Sequence, residues 1–66
     1  MTPTTEITIA GGARYRVEGD SASVEQAILD SARGSLMQLA WLVEAETGDR
    51  LGFNPESVVM LRAPRS

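Results

Sequence analysis

The chain has 66 residues, enough for one domain and too few for two, since a domain needs about 50 residues or more to enclose a core. It contains no Cys and no His, which excludes disulfides, zinc sites of the usual Cys/His kind, thiolate chemistry and imidazole acid/base catalysis. Nine carboxylates against six Arg give a net charge of −3, a balance that disfavours non-specific adhesion to nucleic acid or to anionic lipid.

The first element in chain order is a β-hairpin. From Glu6 to Glu18 two alternating apolar/polar stretches flank the pair Gly11-Gly12. Because strand side chains alternate with period two, Ile7, Ile9, Tyr15 and Val17 share one face, while Thr8, Arg14 and Arg16 point outward. The glycines read as the turn and not as a phosphate cradle, because no helix follows to supply a positive N-terminus.

A short helix comes next, over about Val24 to Arg33, with its inward stripe carried by Val24, Ala27, Ile28 and Ser31 or Ala32. Ser23 with Gln26 fits a capping box, and Gly34 fits the left-handed position that ends a helix. Three turns are too short to be stable alone in water, so the helix must lie on a sheet.

Leu36 to Glu46 is read as a strand, with Met37, Leu39, Trp41, Val43 and Ala45 on the core face. Gln38, Ala40, Leu42, Glu44 and Glu46 then lie on the other, and Trp41 is expected to anchor the core. Thr47-Gly48-Asp49 is a turn, and Arg50 to Phe53 the returning strand. Asn54-Pro55-Glu56-Ser57 is a single helical turn, with Asn54 as cap and Pro55 at the first position. Val58 to Arg62 is the last strand, and residues 1–5 and 63–66 are frayed ends of one domain covering 1–66.

The expected class is thus α+β, an antiparallel sheet of about five strands in the order β-β-α-β-β-turn-β with one short helix on one face. A small bent barrel is the alternative, because a strand, a short Pro-containing turn and a short terminal strand also close SH3-like and Sm-like barrels. The run Glu6-Ile-Thr-Ile through Tyr15-Arg-Val-Glu-Gly-Asp, the Ser-rich helix start, Gly48-Asp49-Arg50 and Asn54-Pro55-Glu56-Ser57-Val58-Val59 resemble a class of very small actinobacterial or actinophage proteins. In these a hairpin, a short helix and a strand pair precede a step of Asn-Pro or Val-Pro, two residues, then Val, into the last strand. The resemblance covers most of the chain, implies a fold and transfers no catalytic or binding residue. All six cations are Arg, which agrees with a GC-rich coding source.

Function is expected to lie in binding. The outer face of such a sheet should be polar, yet Leu42 falls there and Val58-Val59-Met60-Leu61 is apolar on both sides. Leu42, Val58, Val59, Met60 and Leu61 are therefore the candidate protein-binding surface, and a homo-oligomeric interaction or regulatory module is the leading expectation. The alternative is a small-barrel binder of single-stranded nucleic acid or of a small anionic ligand through Arg14, Arg16, Arg50 and Arg62. No catalytic residue, metal site or cofactor is expected. The serines lack a His or Lys to act as base, and Glu44 and Glu46, about 7 Å apart along one strand face, read as solubilising residues. No apolar run approaches the roughly 18 residues that cross a bilayer, and Met1 to Thr5 lacks the regions of a secretion signal, so the cytoplasm is the expected location.

Overall fold

The computed structural model describes residues 3–33 and 38–63. Along it run β1 Thr4–Ile9, β2 Arg14–Glu18, α1 Ser21–Ala32, β3 Ala40–Val43, β4 Arg50–Phe53, a 3-10 turn Pro55–Ser57 and β5 Val58–Arg62. The class is α+β, in the expected element order. The strands do not form one five-stranded sheet. β2, β1 and β5 make an antiparallel sheet in that order, and β3 and β4 make a separate antiparallel pair.

Among the described residues backbone pairing joins the two sheets at one place, where Val17 bridges Glu44 and the Ala45 N–H donates to the Arg16 carbonyl at 2.9 Å. The register of that bridge explains why the ladder stops. Continued along the strands it would set Ala40–Val43 against residues 18–21, and of these only Glu18 belongs to β2, the chain turning at Gly19 and Asp20 into α1. Among the described residues no helix is long and apolar enough to cross a membrane.

The first hairpin closes through Gly11 and Gly12, whose φ of +97° and +95° is ruled out for most side-chain-bearing residues. Its open end is tied as well. Thr4 and Thr5 are strand residues, not a frayed end: the Thr5 hydroxyl donates to the Gly19 carbonyl at 2.9 Å, and the Gly19 N–H donates to the Pro3 carbonyl at 2.9 Å. Thr5 is fully buried, so the hydroxyl would be costly without that partner.

Helix α1 begins three residues before the position expected from Ser23 and Gln26. Asp20 is the cap, accepting from the Ser23 N–H at 3.0 Å, and the Gln26 amide instead donates to Asp30 one turn on. The Ser23 hydroxyl, and after it the Ser23 N–H, hold the Asp20 carboxyl below its ordinary pKa. Val24 and Ile28 are buried, with Ala27 and Ser31 half-buried beside them, as the apolar spacing requires. Gly34, the expected helix terminator, lies outside the described residues, as do Leu36 and Met37.

The core consists of Ile7, Val17, Val24, Ile28, Ala40 and Phe53, with Ile9, Tyr15, Leu42, Leu51, Val58 and Leu61 packed against it. Tyr15 meets Phe53 edge-on, ring centroids 5.5 Å apart. In β3 the expected faces are reversed: Ala40 is 2% exposed and Trp41 is 56% exposed, so Trp41 is not the core anchor. The reason lies in β4. Ala40 pairs with Phe53, Trp41 with Gly52, Leu42 with Leu51 and Val43 with Arg50. Opposed residues share a face, so an inward Trp41 would carry Gly52 and Arg50 into the core and expel Leu51 and Phe53. Burying Arg50 and exposing Phe53 is the costlier choice, and β3 turns its bulkiest residue outward.

Candidate functional site

The outward Trp41 has a seat of its own. A Cβ on Gly52, directly across the strand pair, would lie 3.2 Å from both Cη2 and Cζ3 of the indole and 2.9 Å from Cδ1 of Leu39. The absence of a side chain at 52 is what lets the indole and Leu39 settle against the β4 backbone. The Arg50 guanidinium carbon stands 5.3 Å from the Trp41 ring centroid, within cation–π reach, so one edge of this apolar surface carries a positive charge. Leu39 is itself 42% exposed, and the three side chains form a semi-exposed platform whose parts hold one another in place. From sequence alone both Trp41 and Leu39 are expected on the core face, with Trp41 as anchor in preference to a stacking platform. The available signal was Gly52, since a glycine inside a strand commonly marks a close approach by something bulky.

The five candidate interface residues divide into two sets. Leu42, Val58 and Leu61 are half-buried and pack on the core, whereas Val59 is 64% exposed and Met60 50% exposed. Within β5 a β-bulge produces this division. Thr8 pairs with Met60 and Ile9 with Val58, so Val59 has no partner opposite it, and alternation resumes one residue out of step. Val58 and Leu61, three apart, therefore both face inward, and the consecutive Val59 and Met60 both meet solvent.

The four candidate arginines are also divided. Arg14 and Arg16 of β2 and Arg62 of β5 line the outer face of the three-stranded sheet, while Arg50 serves the Trp41 platform on the other. Across the sheet, Glu6 of β1 stands opposite Arg16 on one side and opposite Arg62 on the other. The row alternates in charge and does not concentrate cations at one point. Beside it, Thr8 lies between Arg14 and Met60, and its buried hydroxyl finds no hydrogen-bond partner among the described residues.

Glu44 and Glu46 are not neighbours on one strand face. Glu44 closes the β3–β4 turn by accepting from the Thr47 hydroxyl at 2.8 Å, while Glu46 lies in the turn itself. The Asp49 N–H donates in turn to the Thr47 oxygen at 3.1 Å. Among the described residues no group of three or more carboxylates is placed to hold a metal ion. Set against protein-family models, curated proteins and solved structures, the chain matches none.

Proposed function

We propose that this chain is a non-catalytic protein-interaction module that acts as a homo-oligomer, with Trp41 as the anchor of the surface covered by its protein partner. The observation that carries this reading is the 56% exposed indole seated across Gly52 beside Arg50. Trp and Arg are the residue types that most often dominate the energetics of protein interfaces. A side chain already held by its neighbours loses little further freedom when a partner covers it. Such a module fits the role of a small regulator or adaptor.

The arginine-based reading has less support. A grip for single-stranded nucleic acid or a small anion needs converging guanidiniums, and Glu6 stands between Arg16 and Arg62. The discriminating experiment is affinity capture from a lysate of the source cells with the wild-type chain and with Trp41→Ala, both checked for an intact fold by circular dichroism. The reading expects a partner retained by the wild type and lost by the variant. Equal retention by both would remove Trp41 from the interface.

A further inference from the structure

The two edges of the β2-β1-β5 sheet are treated differently. The outer edge of β2 is occupied where Val17 bridges Glu44 and the Arg16 carbonyl takes the Ala45 N–H. β5 pairs with β1 on one side, and among the described residues no strand pairs with it on the other. Proteins normally guard such an edge with Lys, Pro, an inward charge or a bulge, since unpaired N–H and C=O groups are a template for another strand. Val58–Arg62 contains no Lys and no Pro, and its only charge is on its final residue. Its bulge falls at Val59 and leaves Met60 to Arg62 as regular strand.

Resting on the self-association part of the proposed function, we infer that this edge pairs with the same strand of a second copy, antiparallel about a two-fold axis, making one six-stranded sheet. The alternation of β5 selects both occupant and register. Residues opposed in an antiparallel pair share a face, and here Leu61 faces inward while Met60 and Arg62 face outward. Centring the pair on Leu61 sets Leu61 against its own equivalent beneath the sheet and Met60 beside Arg62 of the second copy above it, twice by symmetry. Half-buried Leu61 then completes its burial, and the thioether of Met60 lies along the methylene stem of an arginine. A centre on Met60 would instead oppose inward Leu61 to outward Val59, which mismatches the faces.

The register predicts a response with opposite signs. Met60→Arg places like charges beside one another at two symmetric positions, and Met60→Glu creates two ion pairs with Arg62 of the second copy. Analytical ultracentrifugation of wild type and both variants at low salt, with circular dichroism to confirm folding, should show a wild-type dimer. The Met60→Glu dimer should be about tenfold tighter than the Met60→Arg dimer, a gap that closes in high salt. A dimer to which the two variants respond alike, or one abolished by Trp41→Ala, overturns the β5 pairing and leaves self-association standing. A wild-type monomer at sub-millimolar concentration overturns both.

Discussion

The three-stranded sheet and the β3–β4 hairpin are both built from alternating strands, yet the hairpin turns its largest side chain, Trp41, away from the core. In β1 and β2 the apolar residues Ile7 and Val17 are fully buried, and the charged residues Arg14, Arg16 and Glu18 are exposed. In β3 the small residue Ala40 goes in and Trp41 comes out, because the returning strand carries Phe53 opposite the first and Gly52 opposite the second. A strand with two apolar faces is thus oriented by its partner. β1 and β2 each have one polar face and need no arbiter, whereas Leu39 to Val43 is apolar throughout, and Arg50-Leu51-Gly52-Phe53 decides for it.

Truncation on the two sides should therefore cost unequal amounts, and this contrast is expected to be the largest. Ile7→Ala, at a fully buried position, is expected to lose about 3 kcal/mol, a large part of what a domain of this size possesses. Trp41→Ala removes a far bigger side chain and is expected to lose only about 1 kcal/mol, because that side chain is more than half exposed. Urea denaturation of the two variants measures this directly. A Trp41→Ala loss as large as that of Ile7→Ala would mean that the indole is in the core.

Two threonines on opposite faces of β1 differ in the same way at a smaller scale. The buried Thr5 hydroxyl is satisfied by the Gly19 carbonyl, and the buried Thr8 hydroxyl has no partner among the described residues. Thr5→Val should destabilise by about 1 kcal/mol, while Thr8→Val should be neutral or slightly stabilising. Equal losses in thermal melts would show that both hydroxyls have partners.

The smallest effect concerns the start of α1. Asp20 is held below its ordinary pKa by the Ser23 hydroxyl and then the Ser23 N–H, so its contribution to stability is present above the unfolded carboxylate value, about pH 4. It is lost as pH falls through the lower folded value. Asp20→Ala should lower the melting temperature at neutral pH, Asp20→Asn should retain most of the stability through its amide oxygen, and the gap between wild type and Asp20→Ala should narrow in acid. A gap that stays constant into strong acid would argue against the cap.

The parts of the fold that sequence made legible are those with a single local solution. Gly11-Gly12 between alternating strands, Asn54-Pro55 opening a short turn, and the Val24, Ala27, Ile28 stripe each admit one arrangement, and the structure adopts it. Three features depended on long-range choices. The division into two sheets follows from β2 ending where α1 begins, the outward Trp41 from the identity of β4, and the exposure of Val59 and Met60 from a bulge against β1. Of the candidate site, Val59 and Met60 were legible as surplus apolar surface and are exposed. Strict alternation places Leu42, Val58 and Leu61 on the same surface because it cannot foresee a bulge or a reversed face, and they lie against the core. The sequence does not single out Asp20 as the cap, because Ser23 also has the right chemistry and only the backbone geometry separates them.

Trp41 is the only tryptophan in the chain, so its fluorescence reports on the platform without interference from another indole. The folded, dilute protein is expected to show long-wavelength emission that acrylamide quenches readily, with a further change in Gly52→Ala as the new methyl group displaces the indole from its seat. Short-wavelength emission that resists acrylamide and is indifferent to Gly52→Ala would place the indole inside the core and contradict the reversed orientation of β3.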